Sequence, residues 1–263
     1  MLGQAQRERL ENGFTILELA LALFLIALLF GSLFVPLESQ VDARKIDETQ
    51  RIFDRAREAL LGFAIAHGRF PCPADAASTG HEPGGTDPAK GTCPAYHGFL
   101  PAAALGLAAS DGHGYAVDGW GIAANRIRYA VANATLGPSR NGAAFTRSGG
   151  MRAAGIATLS DPGLSLLHVC ASGRGVSPGA HCGSAPTLVS TTPVVIWSPG
   201  PNALTGGKSV DEAQNPNPNG GSADRIFVSR VRSGVPGTEF DDLVSWIPMP
   251  ILIGRMVAAG QLP

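Results

Sequence analysis

Residues 12–35 read NGFTILELALALFLIALLFGSLFV, and this stretch decides how the chain is organised. From Phe14 to Val35 it contains a single ionisable residue, Glu18. At 1.5 Å per residue this run makes a helix of roughly 33 Å, which exceeds the about 30 Å of a bilayer core. The sequence therefore predicts one membrane-spanning helix over residues 14–35.

A cleaved secretory signal is the alternative interpretation of this run. Signal peptides end in a small-x-small cleavage site, and the following residues 35–39 (VPLES) offer none. An ionisable group such as Glu18 is costly inside an apolar segment and usually marks a function, which favours a retained anchor. A glutamate one turn inside the membrane can also extend its carboxylate to water at the rim, and this simpler reading of Glu18 stays open.

Residues 13–18 (GFTILE) resemble the processing site of type IV prepilins and type II secretion pseudopilins. In that family a membrane peptidase cuts after the glycine and methylates the new N-terminal phenylalanine, and the glutamate is kept for assembly. The resemblance implies cleavage between Gly13 and Phe14, a leader over residues 1–13, and an assembly role for Glu18. It also implies three partners: the prepilin peptidase, other pilins or pseudopilins in a filament, and an inner-membrane assembly platform.

Simple physical chemistry is consistent with these roles. Glycine places no side chain in the way when the backbone enters a protease cleft. A buried carboxylate is costly unless it is paired, and the N-terminal amine of a neighbouring subunit is a suitable partner for Glu18. A subunit docked out of register would leave that charge unpaired.

The segment after the apolar run, residues 36–68, has the pattern of an amphipathic helix that forms a spine. Gly68 and Pro71 are expected to end it. The apolar or small positions on its predicted inner face are Ile46, Thr49, Phe53, Ala56, Leu60, Phe63 and His67. The predicted domains are therefore the leader (1–13), the anchor (14–35), the spine (36–68) and a globular head (69–263).

Short strands in Gly/Pro-rich loops are predicted for the head. The candidate strands are Arg126 to Val131, Val194 to Trp197, Asp224 to Val231 and Asp241 to Trp246. Strands that follow a long helix predict an α+β fold, in which the helix packs on a small antiparallel sheet. This is also the pilin-like fold that the resemblance implies, with the chain crossing the inner membrane once and the C-terminal head in the periplasm.

The head contains four cysteines, Cys72, Cys93, Cys170 and Cys182. An even count in a Gly/Pro-rich domain outside the membrane predicts two disulfides. Three connectivities are possible, and the sequential one is favoured because each bridge would then close a local loop. A zinc site that uses the second pair with His168 and His181 is the alternative, but this spacing fits no common zinc pattern.

Two acidic pairs, Asp211 with Glu212 and Asp241 with Asp242, are candidate calcium ligands. Some pseudopilins, which the chain resembles, bind calcium through loop carboxylates. Calcium requires six to eight oxygen ligands, and only four carboxylates are in view. A solvated strand edge or a helix cap is therefore favoured over a metal site, and no cofactor is expected.

Composition restricts the function classes. With 20 Lys+Arg against 21 Asp+Glu the net charge is −1, so no general nucleic-acid partner is expected. The 34 Gly and 20 Pro indicate many loops, while a hydrophobic fraction of 44% argues against disorder. We expect a structural subunit, a minor pilin or pseudopilin, and not an enzyme. The alternatives are a tip or adhesion subunit that binds a secreted protein, a surface or DNA, and a membrane-anchored envelope enzyme.

Overall fold

The computed structural model describes residues 15–109, 111–136, 143–177, 181–205, 208–215 and 224–262, except for the side chains of residues 29–39. The predicted leader and the predicted cleavage pair, Gly13 and Phe14, lie outside the described residues. The chain divides into two compact units, Met1–Arg44 and Lys45–Pro263. Helix α1 spans Ile16–His67.

In the first unit, the described apolar part of α1 runs from Ile16 to Leu28, and all of its side chains are exposed. Within the described part of the chain, no helix combines the length and the apolar character needed to cross a membrane. The predicted single-pass location in the inner membrane, with a periplasmic head, is therefore wrong by this finding.

In the second unit, α1 has one buried face. Thr49, Phe53, Ala56 and Leu60 are completely buried, as the three-and-four spacing predicts. Near the end of the helix the buried position is Ala64, while His67 is exposed. Over the last turn of the helix, the buried residues therefore differ from those that were predicted.

Seven strands, grouped in two sheets, are present among the described residues of the second unit. They are β1 (His97–Phe99), β2 (Arg128–Val131), β3 (Leu167–Cys170), β4 (Thr187–Thr192), β5 (Val194–Ser198), β6 (Ile226–Val228) and β7 (Leu243–Ile247). The first sheet has the order β1-β2-β5-β7, and all of its pairs are antiparallel. The second has the order β4-β3-β6, in which β3 and β6 pair in parallel. Two further helices, α2 (Gly150–Leu159) and α3 (Met249–Ala258), complete the unit.

One hydrophobic core links these elements. It contains Phe53 and Leu60 from α1, Tyr129 from β2, Ile196 from β5 and Phe227 from β6. Every residue of β5 is buried, and the strand has hydrogen-bonded neighbours on both edges. A continuous apolar run is the sequence pattern expected of such a central strand.

The pilin-like arrangement predicted for the chain is wrong. The structure is α+β, but it has two sheets where one small antiparallel sheet was expected, and one strand pair is parallel. Among the described residues, no helix is long and apolar enough to serve as the predicted membrane anchor. A parallel pair requires a long connection, and 55 residues lie between β3 and β6. The sequence of this connection has no periodic pattern that indicates whether the strands form one sheet or two.

Candidate functional site

Glu18 lies in the first turn of α1 and forms a reciprocal set of hydrogen bonds with Thr15. The backbone N–H of Glu18 donates to Thr15 Oγ1, and the backbone N–H of Thr15 donates to Glu18 Oε2, both at 3.2 Å. This is a capping box, in which two side chains satisfy backbone donors at a helix start. The spacing of Thr15 and Glu18 therefore has a local structural use, in addition to the assembly role that was predicted for Glu18.

Two disulfides are present, and they join Cys72 to Cys93 and Cys170 to Cys182, with Cα–Cα distances of 5.5 Å and 5.6 Å. This is the sequential pairing. Because the sulfur atoms of Cys170 and Cys182 are bonded to each other, neither is available to a zinc ion.

A partly buried ion pair lies beside the first disulfide, and sequence reasoning missed it. The two terminal nitrogens of Arg69 donate to the two carboxylate oxygens of Glu82 at 2.7 Å and 2.8 Å. The backbone N–H of Cys72 donates to the same carboxylate at 2.7 Å. Burial alone would raise the pKa of Glu82, but these hydrogen bonds and the charge of Arg69 outweigh it, and the pKa is lowered. The ion pair therefore fixes the backbone at the disulfide.

Three of the four predicted acidic candidates come together in an acidic cluster, defined as Glu212, Asp241 and Asp242. Their carboxylate oxygens lie within 4.8 Å of one another. Glu212 is on a short 3-10 turn (Glu212–Gln214), and the two aspartates immediately precede β7. Asp211 is not in this cluster, since it pairs with Arg230 and accepts the backbone N–H of Gly173.

The pKa values of two carboxyl groups in the acidic cluster are raised. Burial raises the pKa of Asp242 to about 7, with the charges of Glu212 and Asp241 adding to the effect and a hydrogen bond from Asn215 opposing it. Burial also raises the pKa of Asp241 to about 6, again with a contribution from Glu212, while Arg232 opposes the rise. Close carboxylates in a poorly solvated site retain protons near neutral pH because the like charges repel each other.

The oxygens of the acidic cluster are largely engaged within the protein. Glu212 Oε1 accepts the backbone N–H of Asp241 at 2.9 Å and the amide of Asn202 at 3.2 Å. Asp242 Oδ2 accepts the amide of Asn215 at 2.6 Å. Three carboxylates fall short of the six to eight oxygens that calcium requires. The geometry is better suited to sharing protons, and the expectation of no metal stays a prediction.

An open cavity of about 400 Å³ adjoins the acidic cluster. Its lining includes Asn202, Arg232, Ser233, Glu239, Phe240 and Asp241. Three atoms of these residues are buried out of contact with solvent and have no hydrogen-bond partner among the described residues: Arg232 Nε, Glu239 Oε2 and Asp241 Oδ1. Sequence reasoning missed this cavity, which we call the polar cavity, because only Asp241 belonged to a recognised pair.

A serine and a histidine also lie in contact. Ser165 Oγ is 3.0 Å from His168 Nε2, and burial lowers the pKa of His168, so that its imidazole is neutral near pH 7. His168 Nδ1 has no hydrogen-bond partner among the described residues. In a catalytic triad a carboxylate orients the imidazole through that nitrogen. The pair therefore shows one contact of a triad and does not support hydrolase chemistry.

Comparison of the chain with protein-family models, with curated proteins and with solved structures finds no match in any of the three. Function is therefore inferred from the motif at residues 13–18 and from the geometry described above.

Proposed function

We propose that this chain is a structural subunit of a filament, a minor pilin or pseudopilin of a type IV pilus or a type II secretion pseudopilus. A prepilin peptidase releases it from its leader at Gly13 and Phe14, and it then assembles with other subunits through the start of α1. The observation that carries the proposal is a prepilin-type motif directly followed by an exposed apolar helix segment.

The exposed segment supports assembly because it leaves a large apolar surface without a partner. Ile16 is 89% exposed and Leu17 is 80% exposed, and the other large apolar side chains up to Leu28 are about half exposed or more. Contiguous apolar surfaces of this kind mark interaction sites. Full burial of one such side chain against a neighbouring helix contributes about 1.5–3 kcal/mol.

Glu18 gives this contact its register. Its neighbours on the same face of the helix are Leu21 and Ala22, so packing of this face against other copies surrounds the carboxylate with apolar side chains. A charge in that position needs an opposite charge, which the N-terminal amine of a processed Phe14 in the next subunit supplies. The backbone N–H and the hydroxyl group of Thr15 donate hydrogen bonds to the carboxylate of Glu18, but they do not neutralise its charge.

Two substitutions separate the charge of Glu18 from its capping role. Glu18→Gln keeps a side chain that can accept the N–H of Thr15 and removes the charge, whereas Thr15→Val removes the cap and keeps the charge. We expect Glu18→Gln to reduce the amount of assembled filament about tenfold or more, which corresponds to a loss of about 1.4 kcal/mol per contact. Thr15→Val should assemble close to the wild-type level.

The measurement is the quantity of this chain in filaments sheared from host cells, normalised to its total cellular level. The total level controls for expression and folding of each variant. Wild-type assembly by Glu18→Gln would contradict the pairing role. Equal losses in both variants would assign Glu18 to capping alone.

A further inference from the structure

The acidic cluster joins separate parts of the second unit. Glu212 belongs to the 3-10 turn, whereas Asp241 and Asp242 immediately precede β7. Glu212 accepts the backbone N–H of Asp241 at 2.9 Å, and the amide of Asn215 donates to Asp242 at 2.6 Å. Asn202, in the loop after β5, donates its amide to Glu212 at 3.2 Å. The cluster therefore fastens the turn and this loop to the start of β7.

The contact between these parts depends on protons. The three carboxyl groups lie within 4.8 Å of one another, so their full ionisation would place three like charges in one poorly solvated site. Burial raises the pKa of Asp242 to about 7 and the pKa of Asp241 to about 6, and the charge of Glu212 adds to both rises. Asp241 Oδ1 is buried and has no hydrogen-bond partner among the described residues, so ionisation of this group is costly. The cluster therefore retains protons up to about neutral pH.

The charged groups around the cluster do not balance its negative charge. Arg232, on the segment after β6, is the cation whose charge lowers the pKa of Asp241 and opposes the rise. One guanidinium against three carboxylates leaves a net negative charge when the cluster is fully ionised. The other titratable groups on the surrounding elements interact with each other or with neutral groups of their own: Asp211, Arg230, Lys208, Glu239 and Asp118.

We propose that the acidic cluster is a pH-sensitive latch, which fastens the 3-10 turn and the loop after β5 to the start of β7 while its carboxyl groups share protons, and which opens when those protons are lost. The repulsion that follows deprotonation acts between Glu212 on one side and Asp241 and Asp242 on the other. Opening separates these charges, admits water to the buried oxygen of Asp241, and breaks the bond from the backbone of Asp241 to Glu212. The latch does not depend on the proposed assembly through α1.

A second attachment of the same turn does not change over this pH range. Asp211, next to Glu212 in the sequence, accepts the backbone N–H of Gly173 at 2.7 Å and pairs with Arg230. Burial would raise the pKa of Asp211, but these contacts and the hydroxyl of Ser172 outweigh it, so the pKa is lowered and Asp211 stays ionised from pH 6 to pH 8. The turn therefore remains attached through Asp211 when the latch opens, and the opening is local.

Amide hydrogen exchange of the full-length chain at pH 6 and pH 8, resolved by residue with NMR in a non-ionic detergent, tests the latch. Rates are corrected for the intrinsic pH dependence of exchange. The N–H of Asp241 reports the contact with Glu212, and the N–H of Gly173 reports the attachment of Asp211. From pH 6 to pH 8 we expect the protection of the Asp241 N–H to fall at least about tenfold more than that of Gly173. Constant protection of Asp241 would overturn the proposal, and equal losses at both amides would overturn it in favour of unfolding of the whole unit.

Two substitutions each remove one charge from the latch and keep a hydrogen bond across it. Asp242→Asn can still accept the amide of Asn215, and Glu212→Gln can still accept a backbone N–H. Each should keep at pH 8 most of the protection that the wild-type Asp241 N–H has at pH 6. Asp47→Asn, which removes an exposed carboxylate from α1, is the matched control and should lose protection like the wild type. Thermal midpoints check folding, and a wild-type loss of protection in a folded Asp242→Asn or Glu212→Gln would refute the assignment of the latch to the acidic cluster.

Discussion

Replacing Asp242 by Asn should stabilise the protein at alkaline pH. Asp242 is 7% exposed, and its pKa is raised by burial from the ordinary value of 3.8 to about 7, with the charges of Glu212 and Asp241 adding to the rise. Asn has nearly the same shape, and its side-chain oxygen can still accept the amide hydrogen bond that Asn215 makes to Asp242. The substitution therefore removes the unfavourable charge and keeps the main contact.

The sign of the pH dependence follows from the direction of this rise. Between about pH 4 and pH 7 the folded state holds a proton on Asp242 that the unfolded state has released, so stability falls as the pH increases. A pKa change of this size corresponds to at most about 4 kcal/mol. We expect roughly 2 kcal/mol of added stability for Asp242→Asn at pH 8, because relaxation around a charged site reduces the full value. The difference should largely disappear near pH 4.

Urea unfolding of both proteins at pH 4, 6 and 8, followed by tryptophan fluorescence, measures this effect. Asp211→Asn is the matched control, and it is expected to change the stability in the opposite direction. Burial would raise the pKa of Asp211, but the N–H of Gly173 and the guanidinium of Arg230 outweigh it and lower the pKa. Loss of the Asp211 charge from this partly exposed pair should destabilise the protein by about 1–3 kcal/mol at pH 8, and by less as the pH falls through the lowered pKa. A wild-type stability that is constant from pH 4 to pH 8, with Asp242→Asn less stable at pH 8, would refute the reasoning.

The remaining predictions concern the framework of the second unit. Gly119→Ala should destabilise the second unit by about 3 kcal/mol or more, since the added Cβ would lie 2.2 Å from the backbone carbonyl oxygen of Lys45. Gly84→Ala is the control, because nothing lies within 4 Å of the Cβ added there. Thermal unfolding measures both variants. Removing the 21-residue loop closure by the double substitution Cys72→Ser and Cys93→Ser should cost about 3 kcal/mol. Urea unfolding with and without reductant checks it, and a wild-type chain that keeps its midpoint after reduction would contradict the expectation.

The elements that could be predicted from the sequence are those whose apolar residues follow a clear helix or strand pattern. The inner face of α1 was predicted at Phe53, Ala56 and Leu60 because helical spacing places these positions on one side. The apolar run from Val194 became β5, a central strand whose residues are all buried. In both cases burial demands a local pattern that remains visible in the sequence.

The elements that were missed depend on contacts between distant residues. β6 lies within the predicted strand Asp224 to Val231, but its parallel pairing with β3 was not predicted, because β3 is far away in the sequence and no local pattern indicates the partner. Of the pair Asp211 and Glu212, only Glu212 joins the acidic cluster, because adjacent side chains point in different directions and Asp211 meets Arg230. The polar cavity combines residue 202 with residues 232–241, a combination that no spacing in the sequence indicates.

The membrane prediction is contradicted. It was based on the composition of the whole run from Phe14 to Val35, and within the described part of the chain no helix is long and apolar enough to cross a bilayer. The exposed apolar side chains from Ile16 to Leu28 enter the proposed function as an interaction surface.

The intact mass and the N-terminal sequence of the protein recovered from its host test the central claim most directly. The account predicts a chain that begins at an N-methylated Phe14, with the mass of residues 14–263 plus CH2 for the N-methylation and less four hydrogens for the two disulfides. A chain that begins at Met1, or one that begins beyond Val35, would contradict prepilin processing and remove the basis for the proposed filament subunit.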